Sequence, residues 1–180
     1  MRTDRRLGAP TAVLALAALL ALVPGCGYSI RAPYDKSVRT VYVPIFRCQT
    51  FRRDINYQLT DLLMKEIERR TPYKVVSSPE GADTILQGVI QSSDKNTIVE
   101  NPDNLPRQLT SSLTVSVTWT RNPPTEDEKK RGPTVVTEVS NFAPEIGETT
   151  ETAFYRTCQN IATQIVDMME APWQRNIKGD

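Results

Sequence analysis

There is no histidine anywhere in this chain. Without imidazole there is no Ser-His or Cys-His nucleophile pair, no imidazole metal ligand and no side chain that titrates near neutrality unaided. Carboxylate pairs remain open to catalysis, as in glycosidases, and Asp61 with Glu66 or Glu148 with Glu151 are the nearest candidates. Their spacing reads instead as the solvated face of one helix and the charged start of another. No constellation argues for an enzyme, a cofactor or a bound metal. An excess of charge of one sign is missing too: 22 Lys and Arg stand against 21 Asp and Glu, which gives no bulk attraction to nucleic acid. The apolar run Ala12 to Val23 would reach only about 18 Å as a helix, against a hydrocarbon core of roughly 30 Å. It is too short for a permanent membrane span.

That run nevertheless has a purpose. Arg2, Arg5 and Arg6 precede it, and a small residue, Gly25, follows it directly before Cys26. This is the three-part layout of a secretory signal peptide over residues 1–25. Val23-Pro24-Gly25-Cys26 resembles the lipobox of bacterial lipoproteins, which are cut before the cysteine and acylated on it. Cys26 is therefore the expected lipidation site and membrane anchor, with an unmodified thiol as the alternative. Three long acyl chains at ~0.8 kcal/mol per buried methylene would hold the protein in effect permanently. Residues 26–37 then form a short tether, 38–172 a single domain and 173–180 a tail. The remaining cysteines, Cys48 and Cys158, would lie in an oxidising compartment, where either a disulfide or two separate buried thiols fits the sequence.

Within the domain the hydrophobic period switches from element to element. Val38 to Phe46 alternates with Val41, Val43 and Ile45 on one face, and Pro44, lacking a donor, marks an edge or an ending. Asp54 is placed to cap a helix in which Ile55, Leu59, Leu62, Leu63 and Ile67 form one stripe. On its polar side Asp61 can pair with Lys65 and Glu66 with Arg70. Short strands are expected at Tyr73 to Ser77 and Thr84 to Ser92, where Gly88 permits a bulge or a close backbone approach. Leu109 to Thr120 alternates over its full length, and Thr134 to Phe142 supplies a partner. A last helix, roughly Thr150 to Glu170, carries Phe154, Cys158, Ile161, Ile165 and Met168 at helical spacing. The expected fold is α+β, a two-layer sandwich with two helices packed on one face of a mainly antiparallel four- to five-stranded sheet.

The segments "GCGYSIR", "VYVPIF", "INYQLTDLLMKEIERR" and "YKVVSSPEGADTILQGVI" together resemble the LptE family of outer-membrane lipopolysaccharide-assembly lipoproteins. The resemblance implies a non-enzymatic protein, lipid-anchored at the periplasmic face of the outer membrane. It also implies two partners, the β-barrel translocon LptD, which such proteins plug and help assemble, and lipopolysaccharide. Lys95 and Arg107, flanking "KNTIVENPDNLPR", are then the candidate lipid A phosphate contacts, with Ile98, Val99 and Leu105 beside them; a solvated loop with incidental charges is the alternative. Lys129, Lys130 and Arg131 are preceded by Glu126, Asp127 and Glu128, so that loop reads as nearly self-neutralised. The competing function is a lipoprotein activator of a peptidoglycan synthase. The short stretch from Cys26 to the first strand argues against a partner far from the membrane.

Overall fold

The computed structural model describes residues 34–52, 54–100 and 106–170. Cys26, the signal segment and the tail from 173 lie outside them. In chain order the elements are β1 (Thr40–Tyr42), β2 (Arg47–Cys48), α1 (Asp54–Arg70), β3 (Lys74–Val76), β4 (Thr84–Glu100), β5 (Pro106–Arg121), α2 (Glu126–Lys130), β6 (Thr134–Phe142), a 3-10 turn at Pro144–Ile146, and α3 (Thr150–Met168). The fold is α+β, as the sequence leads one to expect. Its sheet has six strands and is mixed, in the order β3-β1-β4-β5-β6, with β2 also beside β4. The long meander β4-β5-β6 is antiparallel, while β1 runs parallel to both β3 and β4 and β2 parallel to β4.

The expected strand from Val38 to Phe46 is broken in two. Tyr42 pairs with Ile85 and Arg47 with Val89, so five residues of this strand pass four of β4. Pro44 has no N–H to give the ladder, and the irregular run is satisfied from α1 instead. Phe46 N donates to Thr60 Oγ1 at 3.1 Å and Asn56 Nδ2 donates to Phe46 O at 3.2 Å. Thr60 therefore occupies a buried helix position that its polarity hides, and Leu62, expected in the core stripe, is only half-buried. The Phe46 ring closes over Gly88, where a Cβ would overlap its edge. Gly88 thus serves as the site of close approach, and the bulge falls farther on, between Ile90 and Ser92.

One core joins both helices to one face of the sheet. Leu59, Leu63 and Ile67 of α1 meet Phe154, Cys158, Ile161 and Ile165 of α3 over Leu86, Ile90, Leu113 and Val115. Ser111 lies on this same inner face, and its hydroxyl shares a 2.9 Å hydrogen bond with Thr157 of α3. Met169, just past the end of α3, is buried, whereas Met168 is half-exposed. The polar sides of the helices carry the expected pairs, Lys65 with Asp61 at 2.7 Å and Glu66 with Arg70 at 3.6 Å, and Glu66 also takes Arg69 at 2.7 Å. The exposed Lys65–Asp61 pair contributes little to stability.

Candidate functional site

The most prominent feature beyond the core is the β4-β5 ribbon. The segment from Asp94 onward, expected as loop, continues β4 to Glu100 and pairs with β5 back to Pro106. No helix of the described residues covers this distal part, and residues Asp94 to Glu100 are exposed on both sides. That explains why no apolar alternation announces it. Ile98 and Val99 are exposed at its end, and Leu105 lies outside the described residues.

Lys95 and Arg107 both sit on this ribbon, but the structure does not bring them together. Lys95 stands opposite Ser111, four residues along β5 from Arg107, or about 13 Å at strand spacing. Lys95 is exposed and has no ion-pair partner among the described residues. Arg107 is engaged: its Nε donates to Glu145 Oε1 at 3.0 Å and Oε2 at 3.3 Å. Of the two cations, Lys95 is the one without an ion-pair partner among the described residues.

The same pole gathers other groups the sequence did not assign. Phe51 is fully exposed, and the Arg52 guanidinium lies over the Phe154 ring, 4.2 Å from its centroid. The two thiols are both free. Cys48 Sγ approaches Thr50 Oγ1 at 3.2 Å. Cys158 is locked in the core, where burial pushes its thiol up to about 12. A bridge between them is not formed. The carboxylate candidates are structural: Glu148 accepts from Arg156 at 2.9 Å and from Ala143 N at 2.8 Å, and these hydrogen bonds, the Arg156 one foremost, hold its pKa below the usual carboxylate range. Among the described residues no cluster of acids or cysteines is arranged to hold a metal.

Among the described residues no helix lies over the outer face of the sheet. Along β5 it presents Thr110, Ser112, Thr114, Ser116, Thr118 and Thr120, flanked on β6 by Val135, Thr137, Val139 and Asn141. Val135 and Val139 are each 56% exposed. On β4 this face is completed by residues such as Gln87, Val89, Ser92 and Asn96. Over the β4-β5-β6 part of this face as far as Asn96, Asp94 is the sole charged side chain among the described residues, whereas Arg47 of β2, in register with Val89, and Lys74 of β3, in register with Thr40, add charge toward the other edge. Glu138 of β6 points the other way, where Asn160 and Gln164 of α3 donate to its two oxygens at 2.8 and 2.6 Å.

A mixed sheet with helices packed on one face defines a two-layer α+β domain of a kind found in bacterial lipoproteins. The chain resembles the solution structure of an uncharacterized lipoprotein B from Nitrosomonas europaea, with TM-score 0.51 and 16% identity over 81% of this chain and 91% of that one. A hypothetical protein from Chlamydia trachomatis has TM-score 0.50 and 10% identity over 77% and 99%. The rare lipoprotein B from Shewanella oneidensis has TM-score 0.47 and 12% identity over 78% and 100%. No curated protein sequence matches the chain. The family itself is given by residues 38–169, which match the family described as LptE, lipopolysaccharide-assembly. This chain belongs to the LptE family.

Proposed function

We propose that this chain is a non-enzymatic, lipid-anchored lipopolysaccharide-assembly factor of the outer membrane. It seats within an LptD-like β-barrel translocon, helps that barrel assemble and assists lipopolysaccharide on its way to the outer leaflet. The observation that carries the reading is the face of β4-β5-β6 that no helix of the described residues covers, which in an LptE-family chain presents hydroxyls and valines with Asp94 as its one charge as far as Asn96. Such a face can lie against a polar barrel lumen without burying unpaired ions, which would cost several kcal/mol each. Cys26, acylated, holds the domain at the periplasmic surface. Lys95 meets phosphate through a charge-assisted contact, and the exposed Ile98 and Val99 accompany it.

The test is copurification. The lipidated protein should bring down an outer-membrane barrel, and Val135→Lys with Val139→Lys should lose that barrel while retaining the fold. A cell-wall synthase copurifying in place of a barrel would overturn the reading. Mass spectrometry should find an acylated Cys26 at the N-terminus, and Cys26→Ala should release the protein from membranes or leave it unprocessed.

A further inference from the structure

At the pole where β4 begins, β6 stops short of the end of β5. Its first residue, Thr134, pairs with Val117, so Thr118 to Arg121 have only β4 beside them. The α2 segment crosses this gap without filling it, leaving a cleft of about 320 Å3. Leu86, Val117 and Trp119 from the sheet and Ile165, Met168 and Met169 from the end of α3 form its apolar wall. Methionine side chains adapt readily to an irregular apolar guest. Trp119 is held from behind by Tyr73, with ring centroids 6.1 Å apart.

Thr118, Thr120 and Thr134 and two charged residues, Glu128 and Arg131, supply the polar side of the cleft, and the two charges differ. Glu128 is spent on the chain itself, accepting from Arg121 N at 3.2 Å and from Thr125 N at 3.0 Å. Lys129 pairs with Glu126 at 2.6 Å. Arg131 has no such partner: its backbone N–H is fixed by Asp127 O and Glu128 O, both at 3.2 Å, and no carboxylate of the described residues lies within ion-pair distance of its guanidinium. The acidic run ahead of it therefore does not neutralise it, contrary to what the sequence suggests.

We propose that this cleft binds a single-chain anionic amphiphile, a long-chain carboxylate whose acyl chain lies along Trp119 and the two methionines and whose head meets Arg131. Ligand pockets span roughly 300–1,000 Å3, so this one sits at the small end, suited to one chain rather than several. A guanidinium pairs well with a carboxylate, and the apolar wall supplies the burial that a free anion would not need. The cleft lies at the pole opposite Lys95 and the ribbon end, so it stands or fails independently of the proposed lipopolysaccharide contact.

The experiment uses the mature lipidated chain, kept in solution by an amphipathic polymer and carrying Trp173→Phe, which leaves Trp119 as its sole tryptophan. Dibromostearate, whose bromines quench indole fluorescence on contact, should quench it saturably and be displaced by stearate. The methyl ester, lacking the charge, should bind about tenfold more weakly, and Arg131→Glu should weaken the acid by a similar factor. Because Arg131 is exposed, that variant should keep its circular dichroism and melting temperature. Unsaturable quenching, equal binding of acid and ester, or no response to Arg131→Glu would overturn the proposal. So would binding that appears only in a chain ending at Glu170, since the cleft would then belong to the chain's own C-terminal segment.

Discussion

Tyr34 donates a hydrogen bond to Glu170 at 3.3 Å, joining residues 136 positions apart. Its ring also packs edge-on against Tyr73, centroids 5.7 Å apart, and Tyr73 Oη accepts from Asp35 N at 3.1 Å. Both ends of the described domain are thus tied at one pole. Burial, and then the Glu170 carboxylate, raise the phenol of Tyr34, and burial raises that of Tyr73. A group whose folded value is raised contributes stability below its unfolded value, near pH 10, and loses it as pH climbs through the folded value. Thermal melts should therefore fall steeply above about pH 10, and Tyr34→Phe with Tyr73→Phe should flatten that fall.

The helix stripe makes a graded prediction. Leu63 is fully buried, Leu62 half-buried and Lys65 exposed. Leu63→Ala should cost about 2–5 kcal/mol, Leu62→Ala clearly less, and Lys65→Ala close to nothing. Urea titrations would rank them, and equal midpoints for Leu63→Ala and Lys65→Ala would refute the assignment of faces.

Gly88 should tolerate no side chain. Gly88→Ala pushes a methyl into the Phe46 ring and should cost about 1–3 kcal/mol by overpacking. Combining it with Phe46→Leu should recover part of the loss, because the smaller side chain vacates the space. A double-mutant cycle that showed simple additivity would mean the two positions do not touch.

Asp83 accepts from Arg39 N at 2.8 Å and Thr40 N at 2.9 Å, clamping the start of β1 beside β4. These two backbone hydrogen bonds hold its pKa below the usual carboxylate range. The stability it supplies is present above its unfolded value, near pH 4, and fades as pH drops through the folded value. Asp83→Asn should lower the melting temperature at pH 7 and shrink the acid-induced fall below pH 4.

On the ribbon, Lys95→Glu should weaken lipopolysaccharide binding more than Arg107→Glu, since Arg107 is already paired with Glu145. Binding should also decline with salt, because exposed charges are screened over about 10 Å at 0.1 M. If Arg107→Glu alone abolished binding, the Glu145 pair would have to open on contact and Lys95 would lose its place.

What the sequence disclosed follows from how locally each element is specified. Helices α1 and α3 and the pair β5-β6 declare themselves, because their periods match one buried face each. The end of β4 does not: a ribbon exposed on both sides needs no alternation, and "DKNTIVE" has none. Nor does the place of β1, since three residues paired with strands more than thirty positions away leave no local signature. Ala82 and Asp83 stand in one of the segments that carry the family resemblance, while the role of the aspartate, the clamp on β1, appears only in three dimensions. Arg131 was hidden by its neighbours: counting charges along the chain cancels it, whereas geometry assigns Glu126 and Glu128 elsewhere.

The Ser111–Thr157 bond also acts as a positional key. A stripe of leucines and isoleucines would accept α3 at several translations along the sheet, because apolar contact has no direction. Sliding the helix by one turn, about 5.4 Å, would break this bond at a net cost of about 0.5–1.5 kcal/mol, leaving Ser111 only its contact with Ser140 O at 3.3 Å and Thr157 only Ala153 O of its own helix at 3.0 Å. Replacing the pair by Ala and Val would remove that penalty together with the information it carries. Two small polar atoms thus choose one alignment of helix on sheet from among those that greasy packing alone would allow.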